Sequence, residues 1–190
     1  AGITTYSPLH QWGVTKGTRV GVVGLGGLGH MGVKIAAAMG AEVTMLSTSE
    51  NKRADAERLG AKHFELTTDK SIFKKLAGSF DVLLDTISAP HDYNAQIGLL
   101  TPFGTMAIVG APPQPTPLSA FALIMGNKKI AGSLIGGIRE TQEMLDFCAE
   151  HKLVSDIETI AAKDIDNAYN RMLKNDVRYR FVVDVATIED

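Results

Sequence analysis

Short apolar runs alternate with segments of helical periodicity along most of this chain. After a first apolar run that ends at Gly24, the pattern predicts strands at 42–46, 63–66, 81–85, 104–109 and 129–135. Helices are predicted between them at 27–39, 50–59, 69–77, 91–100, 118–125 and 140–151. Six strands in alternation with helices indicate an α/β fold. We expect a doubly wound parallel sheet with helices on both faces and the strand order 3-2-1-4-5-6.

The first predicted strand runs into a glycine-rich turn, GLGGLG at 24–29, which an alanine-rich helix follows. Gly24 permits a tight turn, and Gly26 lets the backbone approach a phosphate without a Cβ in the way. Gly29 lets the helix pack closely on the strand, and the helix N-terminus offers N–H groups to an anion. The motif predicts a Rossmann-type site for the pyrophosphate of a dinucleotide. A purely structural turn and a methyltransferase-type nucleotide site are the alternatives.

The end of the second strand indicates which dinucleotide is bound. NAD sites place Asp or Glu there, about 20 residues beyond the turn, whereas this chain has Ser47, Thr48 and Ser49, with Lys52 close behind. Hydroxyls and an ammonium group suit a 2′-phosphate, which a carboxylate would repel. A charge-assisted hydrogen bond of about 1.5–3 kcal/mol would favour NADP about tenfold to a hundredfold. The hydroxyls could instead cap the next helix, and Arg53 could assist or replace Lys52.

Composition narrows the classes of function that remain. The 190 residues are 45% hydrophobic and 21% charged, as in ordinary globular proteins. The net charge of −2 gives no support for nucleic-acid binding, and no apolar run approaches the roughly 20 residues of a membrane span. Cys148 is the single cysteine, which excludes an internal disulfide and a Cys-rich metal site. A reducing, cytoplasmic setting is therefore expected.

The histidines and the remaining carboxylates show no spacing typical of a catalytic or metal site. Asp81 and Asp85 flank a predicted strand without forming a pair of carboxylates on one face. His10, His63 and His91 are scattered along the chain, and we interpret them as surface or packing residues.

Five stretches together resemble the zinc-dependent medium-chain alcohol dehydrogenases, and in particular the NADP-dependent cinnamyl alcohol dehydrogenase-like subfamily. They are AGITTYSPL, GLGGLGHMGVKIAAAMGAEV, STSENKRADAERLGA, GSLIGGIRETQEMLDFC and NDVRYRFVVDV. The resemblance implies hydride transfer between C4 of NADPH and an aldehyde, or from an alcohol to NADP⁺. In the complete enzyme a zinc ion would polarise the carbonyl as a Lewis acid.

The resemblance also implies which residues meet the cofactor. The pyrophosphate turn corresponds to Gly24, Gly26, Gly27 and Leu28, and the 2′-phosphate pocket to Ser47, Thr48, Ser49 and Lys52. Thr86 lies where the strand order reverses, and the nicotinamide corresponds to Thr4, Val109, Ser133 and Ile135. Arg178 corresponds to a late arginine that reaches the cofactor phosphates, with Arg180 as a second candidate and a surface ion pair as the alternative.

The two ends of the chain are expected to belong with an absent catalytic domain. Strands predicted at 157–161 and 181–185, around a helix at 165–174, have no partner in a doubly wound sheet. The resemblance implies a connector at 1–14, the dinucleotide-binding domain at 15–153 and a return to the catalytic domain at 154–190. The family's zinc-ligating cysteine would precede Ala1, so this fragment is expected to bind no catalytic zinc and to be inactive alone.

The sequence leaves two other functions open. One is a zinc-free quinone or enoyl reductase of the same superfamily, and the other is a non-catalytic nucleotide-binding module. The resemblance further implies a homodimer in which the strand Lys129–Ile135, at the sheet edge, meets its copy. Which aldehyde or alcohol serves as substrate is not predicted.

Overall fold

Two compact units make up the chain, Ala1–Leu153 and Val154–Asp190. The computed structural model describes residues 1–174 and 176–188. Asn175, within the NDVRYRFVVDV stretch, and residues 189–190, within the predicted C-terminal segment, lie outside the described residues.

A parallel sheet of six strands forms the centre of the first unit, in the order β3-β2-β1-β4-β5-β6. Its strands are β1 Arg19–Val23, β2 Glu42–Ser47, β3 His63–Leu66, β4 Phe80–Asp85, β5 Leu100–Ile108 and β6 Lys129–Gly132. Every neighbouring pair is parallel. The α/β class and the doubly wound order expected from the sequence are therefore confirmed.

Seven helices accompany this sheet within the described residues. They are α1 Gly2–Gln11, α2 Gly29–Ala38, α3 Arg53–Leu59, α4 Ser71–Lys75, α5 Tyr93–Leu99, α6 Ala120–Ile124 and α7 Ile138–Glu150. Local caps set some of their bounds: the Asp92 carboxylate accepts hydrogen bonds from the N–H groups of Asn94 and Ala95, which starts α5. In the described part of the chain, no helix has the length and apolarity needed to cross a bilayer.

Helix α1 lies in the segment 1–14, for which the sequence analysis gives no element. It packs against α2 and α7, and Leu9 is completely buried. Pro8 lies inside this helix, although a proline inside a helix removes a backbone hydrogen bond and normally disfavours helix formation. Tertiary packing stabilises a helix in the segment that the resemblance implies is a connector.

Strand β6 is shorter than expected. The sequence predicts 129–135, whereas the ladder stops at Gly132 because its partner β5 ends at Ile108. One further hydrogen bond joins the N–H of Ser133 to the carbonyl of Ile108, and the chain then leaves the sheet. Ile135 has a φ of 50°, outside the range of a strand.

The core of the first unit lies on both faces of its central strands. In β1, β2 and β4 nearly every residue is buried, which is typical of strands covered by helices on both sides. Val20, Leu83 and Met106 are completely buried, and each such side chain contributes about 1.5–3 kcal/mol of transfer free energy. The neighbours β1 and β4 mark the point where the strand order reverses, so a ligand crevice is expected at their carboxyl ends.

The second unit contains a two-stranded sheet of β7 Glu158–Ala161 and β8 Phe181–Asp184, with helix α8 Ile165–Leu173 between them in sequence. No partner for either strand is predicted from the sequence. The structure pairs them with each other, in parallel.

Candidate functional site

The glycine-rich turn between β1 and α2 is shaped by close contacts that exclude larger residues. Gly24 has a φ of 90°, and a Cβ there would lie 2.9 Å from Cγ1 of Ile87. At Gly29 a Cβ would lie 1.9 Å from the carbonyl oxygen of Gly24. Two glycines of the turn are thus required by the fold itself.

Gly26 differs, because a Cβ at this position would meet no described protein atom within 4 Å. Packing therefore does not require a glycine here, although the motif has one. Leu28, the N-cap of α2, has no polar side-chain atom with which to cap the helix. The N–H groups of His30 and Gly32 donate to the carbonyls of Gly26 and Leu28, and the helix N-terminus keeps its partial positive charge for an anion. Open space at Gly26 and an uncapped helix end fit the pyrophosphate of a dinucleotide.

Thr86 connects the carboxyl end of β4 to this turn. Its hydroxyl lies 2.8 Å from the carbonyl oxygen of Val23 and 3.1 Å from that of Gly24. The hydroxyl therefore donates its one proton to the backbone where β1 becomes the turn. This contact holds together the two strand ends that border the crevice.

Lys52 lies beside the turn, in the short 3₁₀ helix that precedes α3. Its ammonium group donates a hydrogen bond to the carbonyl oxygen of Leu25, at 2.5 Å. This contact places a half-buried positive charge on the glycine-rich turn. Arg53 is instead engaged with the Glu50 carboxylate, with Nε 2.5 Å from Oε1, and lies over the ring of Phe64.

Three hydroxyl-bearing residues, at 47–49, lie at the carboxyl end of β2, directly before the 3₁₀ helix that carries Lys52. Ser47 is buried and accepts a hydrogen bond from the N–H of Ser49, while Thr48 is exposed. Ser49 is the N-cap residue of the 3₁₀ helix, yet its side chain makes no capping hydrogen bond within the described part of the chain. Helix capping therefore does not account for the serine at position 49.

A buried carboxylate that the sequence analysis sets aside lies beneath the crevice. Asp85, the last residue of β4, is completely buried, and its Oδ1 accepts a hydrogen bond from the N–H of Ile87. Its Oδ2 lies 3.0 Å from Nε2 of His91, and its backbone carbonyl accepts from Val109. The sequence signal was a histidine six residues beyond a strand-ending aspartate, a spacing without a known motif.

The remaining predicted residues fall in four places. Thr4 lies in α1, which packs on α2 and β4. Val109 directly follows β5, Ser133 follows β6, and Ile135 lies beyond the end of that strand. Lys52 and Thr86 contact the turn, to which Gly27 belongs, through the carbonyls of Leu25 and Gly24. Among the described residues, Ile135 makes no hydrogen bond to this group.

Arg178 lies in the second unit. Its backbone N–H donates to Oε1 of Glu158 at 2.9 Å, and Oε2 of Glu158 pairs with Arg171 at 2.8 Å. The cofactor role of Arg178 stays a prediction. As for metals, residues 1–174 and 176–188 contain no group of three or more His, Cys, Asp or Glu placed to hold an ion, so the described residues do not fit a catalytic zinc site.

Comparison with known proteins assigns the chain to a family. The family model described as zinc-binding dehydrogenase matches residues 27–150. The chain therefore belongs to the zinc-binding dehydrogenase family, and the resemblance expected from the sequence is confirmed.

Individual relatives are similar over almost the whole chain. The aldehyde reductase YahK of Escherichia coli is 54% identical over 192 residues, covering 100% of this chain and 55% of the relative. A cinnamyl alcohol dehydrogenase of Sorghum bicolor matches with a TM-score of 0.96 and 46% identity, over 99% of this chain and 54% of that chain. A CAD from Helicobacter pylori, solved in complex with NADP(H), matches with a TM-score of 0.89 and 46% identity, over the same shares. The chain thus spans about half the length of these proteins.

Proposed function

We propose that this chain is the NADP(H)-binding portion of a zinc-dependent alcohol dehydrogenase or aldehyde reductase. The observation that carries the proposal is the Lys52 ammonium group on the Leu25 carbonyl, beside Ser47, Thr48 and Ser49. No carboxylate occupies the end of β2, where an NAD-specific site would place one. The similarity to a protein solved with NADP(H) supports the same choice of cofactor.

Each part of the site has a separate task in this proposal. The open face of Gly26 and the N-terminus of α2 receive the pyrophosphate. Lys52 donates to the 2′-phosphate while it stays close to the turn, and the hydroxyls beside it complete the anion site. Thr86 keeps the ends of β1 and β4 at a fixed distance, which orients the bound cofactor.

The chemistry of the complete protein would be hydride transfer. When NADPH is bound it supplies a hydride from C4 to an aldehyde, and NADP⁺ accepts one from an alcohol. This chain contributes the position and the electrostatic environment of the cofactor. We propose that the zinc ligands and most of the substrate pocket belong to the part of the relatives that this chain does not match, so that the chain alone is inactive.

The test is a calorimetric titration of the 190-residue chain with NADPH and with NADH. We expect tighter binding of NADPH, and we expect Lys52→Ala to weaken it about tenfold to a hundredfold, since one charge-assisted hydrogen bond is lost. Binding of NADH should change little in the same variant. Equal binding of both cofactors by the unaltered chain would refute the NADP assignment.

Lys62→Ala provides the matched control. Lys62 is exposed, precedes β3 and lies 3.6 Å from Glu42, so its removal should leave both affinities unchanged. If Lys62→Ala lowers NADPH affinity as much as Lys52→Ala does, the effect reflects net charge and not a 2′-phosphate pocket.

We also propose that the chain forms a homodimer through the edge strand β6. Exposed apolar side chains lie on the segments directly before and after this strand, including Phe121, Ile124, Leu134 and Ile135. The opposite edge, β3, is flanked by charged pairs such as Lys75 with Glu65 at 2.8 Å. Charge discourages pairing of an edge strand, and exposed apolar surface favours association.

A further inference from the structure

His91 is held between two hydrogen-bond acceptors. Its Nε2 lies 3.0 Å from the Asp85 carboxylate, and its Nδ1 lies 2.8 Å from the carbonyl oxygen of Ala89. A neutral imidazole carries one N–H donor and one lone pair, so it can satisfy only one of these acceptors. The imidazolium form donates to both, and the geometry is therefore matched to the protonated ring.

The pair between His91 and Asp85 shapes the segment 86–91, which connects β4 to α5. Asp85 binds both ends of this segment, because Oδ1 accepts from the N–H of Ile87 and Oδ2 contacts His91. With Asp85 completely buried, its charge requires a fixed partner, and a buried carboxylate that loses its partner is strongly destabilising.

The segment 86–91 is in turn in contact with both sides of the crevice. The Ile87 side chain faces Gly24, where a Cβ would approach it to 2.9 Å. The Ile87 carbonyl oxygen faces Gly110, where a Cβ would approach it to 2.3 Å. A shift of this segment therefore displaces the glycine-rich turn or the end of β5, and either movement changes the crevice.

We propose that His91 is a positioning residue for the dinucleotide: as an imidazolium it holds Asp85 and the segment 86–91 in the conformation that receives the cofactor. Affinity for the cofactor then falls as the ring loses its proton. This inference rests on the proposed function, because it concerns the same crevice.

The charged and titratable groups around the ring favour its protonation. Burial lowers the pKa of His91, but the hydrogen bonds to the Asp85 carboxylate and the Ala89 carbonyl outweigh it, and Asp92 adds a second negative charge nearby. The net pKa lies above the ordinary 6.5. Tyr93, whose ring centroid is 4.9 Å away, has a pKa raised by burial and by Asp85 and stays neutral. Both hydrogen bonds are made below pH 6.5, and one of them is lost as the pH rises through the folded-state pKa, because the neutral ring keeps a single N–H donor.

Two measurements on the 190-residue chain test this inference. The first follows the two imidazole nitrogens of His91 by ¹⁵N NMR from pH 5 to 9, together with amide exchange in the segment 86–91, without cofactor. The second determines the NADPH dissociation constant by calorimetry from pH 7 to 9. The 2′-phosphate, with a second pKa of about 6, stays a dianion over that range, so its titration does not contribute.

We expect both ring nitrogens of His91 to carry protons at low pH. After correction for the intrinsic rate, the amides of the segment should lose protection from exchange as the ring deprotonates. Complete deprotonation of the ring should weaken NADPH binding about tenfold, as one charge-assisted hydrogen bond is lost, so the dissociation constant of the unaltered chain should rise with pH across this range. His91→Gln should bind weakly throughout and lose most of this pH dependence. His63→Gln, which changes an exposed histidine on β3, should behave like the unaltered chain.

The outcomes separate this inference from the proposed function. If His91→Gln and the unaltered chain bind NADPH with the same pH dependence, the inference is wrong and the proposed function stands. If the unaltered chain binds no dinucleotide, the proposed function is wrong. Independently of binding, a neutral His91 at pH 6 or an unchanged protection of the amides at 86–91 overturns the positioning role. Asp85→Asn, which keeps the side-chain shape and removes the charge, should give the same loss of pH dependence where His91→Gln fails to fold.

Discussion

At Gly29 a single methyl group would collide with backbone, whereas at Gly26 it would point into open space. These two glycines belong to one motif, in which the sequence already indicates a close approach to a phosphate for Gly26 and helix packing for Gly29. The structure gives the contacts behind this difference: Gly29 lies against the Gly24 carbonyl, and Gly26 leaves room that the protein itself does not fill. The difference can be measured, because one position affects folding and the other affects a ligand.

We expect Gly29→Ala to lower the free energy of unfolding by about 1–3 kcal/mol, because its Cβ would lie 1.9 Å from the Gly24 carbonyl oxygen. Gly26→Ala should change stability by less than about 0.5 kcal/mol, yet weaken NADPH binding about tenfold by crowding the phosphate. Urea denaturation and calorimetry measure the two effects. Equal destabilisation by the two substitutions would contradict the assignment of a packing role to Gly29 and a ligand-binding role to Gly26.

At the level of elements, one carboxylate of the second unit, that of Glu158, joins β7 to the segment before β8. Glu158 accepts a hydrogen bond from the backbone N–H of Arg178 and pairs with the guanidinium group of Arg171. The hydrogen bond from Arg178, followed by that from Arg171, holds the pKa of Glu158 below its ordinary 4.5. Arg171 also lies over the ring of Phe181, 4.9 Å from its centroid, so it connects α8 to β8.

This contact predicts an acid-sensitive second unit. Because the folded-state pKa of Glu158 is depressed, its contribution is complete above pH 4.5 and is lost as the pH falls through the folded-state pKa. We expect the Arg178 amide to exchange faster as the pH drops from 6 to 3, after correction for the intrinsic rate. In Glu158→Ala, which removes the acceptor, the Arg178 amide should exchange fast at every pH. A protected Arg178 amide in that variant would show that other contacts hold the segment.

At the level of the whole molecule, the two edges of the large sheet differ in their surroundings. Beyond β6, Leu134 is 90% exposed, and the helix α6 that precedes this strand exposes Phe121. Around β3, Glu65 pairs with Lys75 and Arg53 covers the ring of Phe64. The proposed homodimer uses the apolar edge, since burying that surface lowers the free energy of association.

Leu134→Glu should therefore shift the proposed dimer towards monomer, because a charge would be buried in an apolar contact. Since the side chain is exposed, the change should leave the unfolding free energy of the monomer within about 0.5 kcal/mol. Analytical ultracentrifugation measures the shift. His63→Glu, on the opposite edge strand, is the control and should leave association unchanged. A dimer that survives Leu134→Glu would show that association uses another surface.

Much of the fold follows from local sequence patterns. Short apolar runs separated by helical segments are sufficient for a doubly wound sheet, because parallel strands need crossovers and crossovers have one hand. The glycine-rich turn is likewise readable in advance, since its spacing reflects backbone geometry that few other residues can adopt. The absence of an acid at the end of β2, with Lys52 a few residues on, is also a local pattern, and it indicated a site for a 2′-phosphate.

Other features depend on which distant residues come into contact, and only the tertiary structure decided them. Helix α1 forms because α2 and α7 cover it, and β6 stops at Gly132 because β5 ends opposite to it. The predicted strands of the second unit, which had no partner in the sequence analysis, pair with each other. His91 becomes a partner of the buried Asp85 only when the segment between them folds back on itself. Hydrophobic periodicity indicates whether a residue is buried, but not which polar group it contacts there. That partner is set by the folded path of the chain and by the packing of its elements.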